Sequence, residues 1–199
     1  MEEIDRQQLE EDLTGTNMLG MSLLSFLFYL ILSLLLIYFL HDGGFWSIFE
    51  HGYSITVQMA IGLSAGVAAS FVVMFLASRS PIADVLEDFA LFRVIAKTEF
   101  SPFDRVQISF FAGTGEEILF RGAIQPILGI WVTSIIFVAI HGYFKFKSAG
   151  HILFGLMLFS LSMMLGVLYE TSGLISAMAA HAIYDMVMLE WAKRRRVAK

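Results

Sequence analysis

Residues 18–40 form an apolar run that contains no charged side chain. About 20 such residues in a helix cross the roughly 30 Å hydrocarbon core of a bilayer. Similar runs occupy residues 55–77, about 102–125, 127–144, 150–168 and 174–191. The chain is 57% hydrophobic with a mean hydropathy of +0.73, which exceeds the apolar share of a soluble domain. We therefore predict an all-α polytopic membrane helix bundle of about six transmembrane spans.

Polar segments divide the chain around these runs. Residues 1–17 are predicted to be a polar cytoplasmic tail, residues 18–191 a single transmembrane domain, and residues 192–199 a basic cytoplasmic tail. The main polar interruption, residues 78–104, has apolar positions spaced among charges, which predicts an amphipathic interfacial helix. Within it, Ser101 and Asp104 have a capping-box-like spacing before Pro102. In the second run, Gly62, Gly66 and Ser70 form a small-residue row suited to helix packing.

The distribution of basic residues predicts the orientation of the bundle. With six spans, both termini lie on one side of the membrane. That side holds Arg6, Arg79, Arg93, Lys97, Arg105, Lys145, Lys147 and the basic cluster of residues 193–199, whereas the opposite loops hold no Lys or Arg. By the positive-inside rule, we expect both termini to be cytoplasmic. The expected location is a prokaryotic inner or plasma membrane.

Composition excludes several function classes. The chain has no cysteine, so it has no disulfide, thiol nucleophile or thiolate ligand. Basic residues cluster only at one end of the predicted spans, so we expect no nucleic-acid partner. The expected partners are membrane lipid and a protein or peptide substrate, and the sequence leaves the oligomeric state open.

Three ionisable residues stand close together inside the third apolar run: Glu116, Glu117 and Arg121. Each such group at a bilayer centre costs about 2.5–3.5 kcal/mol on insertion scales, so these residues face a bundle interior and usually mark function. His141, and the pair His181 and Asp185, also lie in apolar runs. At 1.5 Å of rise per residue, Glu116 lies about 16 Å beyond Arg105. These groups can therefore meet in a cavity in the central-to-cytoplasmic half of the bundle.

Helical spacing assigns these side chains to faces. Glu117 and Arg121 are four residues apart and share a face, where pairing would keep Glu117 ionised. Glu116 points about 100° away and is free to face the cavity. His181 and Asp185 are also four residues apart and can reach one site together. Simpler interpretations remain open: a structural ion pair for Glu117 and Arg121, and an intrahelical hydrogen bond for His181 and Asp185.

These residue types suit hydrolysis. A carboxylate can take a proton from water while a histidine holds or polarises that water. A second histidine and a side-chain donor can stabilise the oxyanion of a tetrahedral intermediate. Alternatively, Glu116, His141 and His181 could hold a divalent metal ion such as zinc, which would lower the pKa of a bound water. Spacing alone does not decide between these alternatives.

Three short motifs give the chain a family resemblance. They read Glu116-Glu117-Ile118-Leu119-Phe120-Arg121, then Phe137-Val138-Ala139-Ile140-His141, then His181-Ala182-Ile183-Tyr184-Asp185. In this order, in three separate spans, they resemble the CPBP family of CAAX prenyl endopeptidases and bacteriocin-processing (Abi) proteins. The resemblance covers a motif core of about residues 102–190.

The resemblance implies an intramembrane endopeptidase of the glutamate type. It implies that Glu116 is the base that activates water with His141 as partner, that His181 and Asp185 bind the oxyanion, and that Glu117 and Arg121 support the site. Asp185 stands where the best-known prenyl-protein members have Asn. An ionised Asp repels an oxyanion, so Asp185 is either protonated or orients His181. We expect no cofactor, with the metal-bound form as the alternative.

The expected activity is cleavage of a peptide bond in a membrane-associated or lipidated protein or a peptide precursor. Two other classes are compatible with the sequence. One is a non-enzymatic bacteriocin-immunity or scaffold protein that keeps the fold, and the other is a small ion or proton transporter that uses the same buried carboxylates. No inverted repeat of the kind common in transporters is evident.

Overall fold

The computed structural model describes residues 15–98 and 100–197, and all regular structure in this part of the chain is helical. The α-helices are α1 (Gly15–Leu40), α2 (Ile55–Ala77), α3 (Ala90–Lys97), α4 (Pro102–Glu117), α5 (Gln125–Ile140), α6 (Ala149–Ser172) and α7 (Leu174–Val197). Short 3₁₀ helices span Phe45–Phe49 and Ala83–Asp88, and a π-helical segment, Ile118–Ile124, joins α4 to α5. The predicted all-α class is confirmed.

Four segments of the described chain are long and apolar enough to cross a membrane: Asn17–Leu40, Ile55–Ala77, Pro102–Ile140 and Ala149–Ser172. The third of these is 39 residues long and contains the third predicted span and most of the fourth. The sixth predicted span is α7, whose apolar run also carries His181, Asp185 and Glu190. The protein is an integral membrane helix bundle, and about six spans are compatible with this architecture.

The segment from Pro102 to Ile140 is a hairpin with its turn at Gly129. Gly129 has φ 75° and ψ 166°, a conformation that interrupts the helix and that residues with a side chain rarely adopt. Beyond Gly129 the chain returns antiparallel, so that the ring centres of Phe137 and Phe120 lie 5.0 Å apart. A turn therefore separates the third and fourth predicted spans, which were expected at about residues 102–125 and 127–144.

The returning arm of this hairpin is short. It ends at Ile140, which is about 16 Å beyond Gly129 at 1.5 Å per residue, roughly half the hydrocarbon thickness. Residues 141–148 then continue without regular structure to the start of α6. The fourth span is thus a half-length helix, whereas the sequence predicted a span to about residue 144. Irregular backbone at membrane depth is tolerated where it lines a cavity.

Helix α7 makes its most extensive contacts with α2 and α4. The small residues of α2 allow this approach, because a Cβ at Gly62 or Gly66 would collide with the backbone oxygens of Ser176 or Ala180. Gly113 of α4 faces Ala182 of α7 just as closely. The predicted packing role of the small-residue row is therefore confirmed. These close contacts hold the helix that carries His181 and Asp185 against the helix that carries Glu116.

The segment predicted as one amphipathic helix forms the second 3₁₀ helix and α3 instead. Val85, Leu86 and Phe89 are buried in an apolar cluster with Phe154 of α6. These apolar side chains thus pack against the other helices of the bundle. The capping box of Ser101 and Asp104 starts α4 as predicted, with both reciprocal hydrogen bonds present.

The predicted tails differ in how far the structure describes them. Residues 1–14 of the predicted N-terminal tail lie outside the described residues, and α1 begins at Gly15. Helix α7 continues to Val197, through most of the predicted basic tail.

Candidate active site

The two motif carboxylates stand at the end of α4, where the helix changes its hydrogen-bonding pattern. Glu116 and Glu117 are its last residues, and the π-helical segment Ile118–Ile124 follows at once. Isolated π-helical turns inside α-helices occur frequently at functional sites. One backbone oxygen of this segment, that of Ala123, accepts a hydrogen bond from Nε2 of His41 at 2.8 Å. The loop between α1 and α2 thereby supports the irregular part of the helix.

Glu117 lies at the centre of a fully buried polar cluster. Its Oε1 accepts hydrogen bonds from Nη1 of Arg121 at 3.1 Å and from Nδ1 of His181 at 2.7 Å. The side chains of Glu117 and Arg121 are 0% exposed. The ion pair expected from their spacing is therefore present, and it also holds a histidine from α7. A buried ion pair is stable only with good geometry and additional hydrogen bonds, which His181 supplies here.

Arg121 has further partners on two other helices. Its Nη2 donates to the backbone oxygen and to Oγ of Ser162 in α6, each at 2.9 Å. The guanidinium carbon lies 5.0 Å from the centre of the Phe137 ring in α5. The buried cluster therefore ties α4, α5, α6 and α7 together around one carboxylate.

A second, more open group lies next to this cluster. Oε2 of Glu116 is 3.6 Å from Nε2 of His141 and 4.0 Å from Nε2 of His181. Oδ2 of Asp185 is 3.5 Å from the same His181 nitrogen. The side chains of Glu116, His141 and Asp185 are 12%, 23% and 28% exposed. The structure thus brings all six predicted site residues together in two adjoining groups, one buried and one open.

Both motif histidines make a hydrogen bond at Nδ1. In His141, Nδ1 lies 2.6 Å from the backbone oxygen of Phe137, which can only accept, so Nδ1 carries the proton. In His181, Nδ1 faces the buried Glu117 carboxylate. The Nε2 atoms of both rings consequently point toward Glu116. In each ring, the hydrogen bond at Nδ1 thus leaves Nε2 as the nitrogen that is available for chemistry.

A cavity of about 290 Å³ contains the open group. Side chains from each of the helices α1–α7 line it, and most of them are apolar. Glu116, His141, His181 and Asp185 provide its polar part, together with the side chains of Tyr143, Tyr184 and Ser162. Phe92, Ile95 and Phe100 line another part of it. Apolar walls around a few convergent polar groups are typical of a ligand pocket.

The three residues predicted as metal ligands do not form a metal-binding group. Among the described residues, no group of three or more His, Cys, Asp or Glu side chains is arranged to hold a metal ion. Glu116, His141 and His181, the expected ligand set, converge on one point without forming such a group. The mechanism proposed below therefore uses no metal ion.

The three remaining histidines make structural contacts. Nε2 of His41 bonds the Ala123 oxygen, and Nε2 of His51 bonds the Glu170 oxygen at 2.7 Å. Nδ1 of His151 lies 2.8 Å from Oγ of Ser148, and its Nε2 lies 3.1 Å from Asp88. All three lie outside the cavity lining.

Sequence reasoning missed two residues of the site. Ser162 belongs to an apolar run with several other serines, and no local pattern distinguishes it. Tyr143 follows His141 by two residues, and because the helix has already ended, this spacing does not predict whether the two side chains are in contact. Its ring is nevertheless stacked on the His141 ring. A search for aromatic residues next to each motif histidine could have found Tyr143.

The fold and the site define an integral membrane protein with a glutamate–histidine centre inside its helix bundle. The family model of the Rce1-like type II CAAX prenyl endopeptidases matches residues 98–187, a segment that contains all three motifs. Over this segment, which is less than half of its length, the chain is similar to that family, in agreement with the resemblance of its motifs to the CPBP proteins.

One curated relative and the solved structures complete the comparison. The chain is 41% identical over 73 residues to the uncharacterized protein YpbD of Bacillus subtilis. These 73 residues make up 36% of this chain and 36% of that protein. The match thus spans about a third of the length of the curated relative. No solved structure matches the chain.

Proposed function

We propose that the protein is an intramembrane endopeptidase of the glutamate type, in which Glu116 and His141 activate a water molecule. The observation that carries the proposal is the convergence of Oε2 of Glu116 with the Nε2 atoms of His141 and His181, at 3.6 and 4.0 Å, inside one cavity. The match of residues 98–187 to the family model of the CAAX-type endopeptidases supports the same reaction class.

The first step is the binding and deprotonation of water. Because Nδ1 of His141 donates to Phe137, its Nε2 offers a lone pair toward Glu116. One water can donate a hydrogen bond to each of these acceptors, since hydrogen bonds of about 2.8 Å span the 3.6 Å between them. Glu116 takes a proton from this water as its oxygen attacks the carbonyl carbon of the substrate.

The second step is the stabilisation of the oxyanion. His181 lies between two carboxylates, with Nδ1 2.7 Å from Glu117 and Nε2 3.5 Å from Asp185. These charges favour the doubly protonated ring, whose Nε2–H then donates to the oxyanion. In this arrangement, Asp185 orients and balances the charge of His181 and does not contact the oxyanion itself.

The last step is the departure of the amine. The proton held by Glu116 passes to the amide nitrogen as the C–N bond breaks. The carbonyl re-forms, and the products are a carboxylic acid and an amine. The reaction consumes one water and requires no other reactant.

The proposed substrate is a membrane-associated or lipidated protein or a peptide precursor. The cavity supports this class, because its mostly apolar lining excludes a strongly charged segment next to the scissile bond. We further propose that the protein acts from the cytoplasmic side with both termini in the cytoplasm, that membrane lipid surrounds it, and that the reaction uses no metal ion.

Cleavage by the purified protein in liposomes tests the proposal. The probe is a set of internally quenched peptides with apolar residues flanking the scissile bond, prepared with and without a farnesylated cysteine. We expect cleavage that is lost in Glu116→Ala and His141→Ala. The matched control is Glu50→Gln, an exposed carboxylate in the first outer loop. Cleavage that persists in both site variants would contradict the proposal, and so would the absence of cleavage of every peptide.

A further inference from the structure

Tyr143 lies in the irregular segment that follows the half-length helix α5. Its ring is stacked on the ring of His141, with 5.7 Å between the ring centres and 7° between the planes. The Phe137 ring contacts the same imidazole at 4.4 Å. His141 is therefore in contact with two aromatic rings, one from its own helix and one from the following segment.

The fold fixes the Tyr143 ring from several directions. It contacts the rings of Phe89 at 6.0 Å and of Phe154, edge to face, at 5.8 Å. Its backbone nitrogen donates to the oxygen of Val138 at 3.2 Å. Gly142, at φ 70°, supplies the left-handed turn that folds Tyr143 back toward His141.

The His141 ring needs such support. Besides its contact with Glu116, the ring makes a hydrogen bond from Nδ1 to the backbone oxygen of Phe137. One hydrogen bond at Nδ1 leaves the ring free to tilt about that atom, and a tilt moves Nε2 away from Glu116. A stacked ring resists this tilt because aromatic contacts depend on the relative orientation of the planes.

We propose that Tyr143 is a positioning residue that keeps Nε2 of His141 directed at Glu116. The aromatic face carries this role, and the hydroxyl group does not. The inference rests on the proposed function for its kinetic consequence. Its structural part, the orientation of the His141 ring, is independent of any substrate.

A spectroscopic experiment tests the structural part. The full chain, labelled with ¹⁵N and ¹³C at its five histidines, is studied by NMR in lipid nanodiscs, and His141→Ala identifies the His141 signal. We expect Tyr143→Leu to move the ring signals of His141, because the ring current of Tyr143 is lost. Tyr143→Phe should leave them nearly unchanged. Phe144→Leu is the matched control, since Phe144 pairs with Phe146 and is not part of the cavity lining.

A kinetic experiment on the quenched peptides tests the consequence for catalysis. We expect Tyr143→Leu to lower kcat by up to about tenfold with little change in KM, because stacking contributes to orientation in the transition state. Tyr143→Phe should restore kcat. A raised KM with unchanged kcat would instead assign Tyr143 to filling the cavity and overturn the inference.

The outcomes separate this inference from the proposed function. If Glu116→Ala is inactive while Tyr143→Leu matches the wild type in both kcat and His141 signals, only the inference is overturned. If the wild type cleaves nothing, the proposed function fails, and the NMR result still decides the role of Tyr143. Should Tyr143→Leu fail to fold, Tyr143→Met and Tyr143→Trp provide the same contrast between a non-aromatic and an aromatic side chain.

Discussion

Nδ1 of His181 donates a hydrogen bond of 2.7 Å to Oε1 of Glu117, the same oxygen that accepts from Arg121. This contact links the first and third motifs, which are more than sixty residues apart in the chain. It explains why two adjacent glutamates are present in the first motif. Glu117 anchors a histidine by its Nδ1, and Glu116 faces the Nε2 of the same ring. One helix end thereby holds both sides of the imidazole.

Removing one partner of the buried ion pair should destabilise the protein strongly. Arg121→Ala leaves Glu117 buried without its countercharge, and we expect a loss of about 3–5 kcal/mol in the free energy of unfolding. Unfolding in detergent, followed by circular dichroism, measures this loss. The double variant Glu117→Leu with Arg121→Leu should lose less than the sum of the single variants, because both charges disappear together. Strict additivity would show that the two residues are not coupled.

Glu116→Gln should abolish activity while leaving stability nearly unchanged. The amide cannot accept the proton of water, so we expect kcat to fall by about 10²- to 10⁴-fold. Glu116 lies outside the ion pair of Glu117 and Arg121 and is partly exposed to the cavity. Cleavage of the quenched peptides and a thermal melt of the same sample measure the two effects. A large loss of stability would indicate that Glu116 is a structural residue.

Asp185 offers a test of how the oxyanion is stabilised. If its charge supports the protonated His181 ring, Asp185→Asn should lower kcat by about tenfold, since charge-assisted hydrogen bonds are roughly twice as strong as neutral ones. Asp185→Ala should lower kcat further. The comparison uses kcat values of the two variants with one peptide. An Asn variant that is as active as the wild type, or more so, would show that residue 185 donates directly to the oxyanion.

Metal dependence can be measured directly. We expect activity to be unchanged after dialysis against a strong chelator, and zinc or other divalent ions added back should not raise it. Metal content of the purified protein, determined by mass spectrometry, accompanies the assay. Loss of cleavage on chelation and recovery with a single metal would replace water activation by Glu116 and His141 with a metal-bound water.

The absence of cysteine makes the orientation easy to test. Single cysteines are introduced as Glu50→Cys in the loop between α1 and α2 and as Lys147→Cys before α6, both at exposed positions. We expect a membrane-impermeant maleimide to label the first in intact cells and the second only after permeabilisation, because both termini are proposed to be cytoplasmic. The reverse pattern of labelling would invert the proposed topology.

The sequence predicted the helical class and the meeting of the three motifs because both follow from the free-energy cost of placing polar groups in a bilayer. Charged groups in apolar runs must find partners, and a spacing of four residues places Glu117 beside Arg121. The partners on distant helices could not be predicted. Ser162 and the contact between His181 and Glu117 depend on the depth and rotation of α6 and α7, which local spacing does not specify.

The irregular parts of the fold were also beyond sequence reasoning. The π-helical segment after Glu117 has no composition signal, since Ile118 and the residues that follow suit an ordinary helix. The segment of residues 82–97 has the spacing of an amphipathic helix. Its burial against Phe154 could not be read from that spacing, because a lipid surface and a protein core satisfy the same apolar face.

The half-length helix α5 has a consequence for the supply of water. From His141 the chain reaches the start of α6 as residues 141–148, which form no regular helix, although the N–H groups of His141, Gly142, Tyr143 and Lys145 have backbone partners. The remaining peptide groups of this segment are favourable inside a membrane only if they meet solvent or other polar partners. We therefore expect the water that is consumed in hydrolysis to reach Glu116 along this segment.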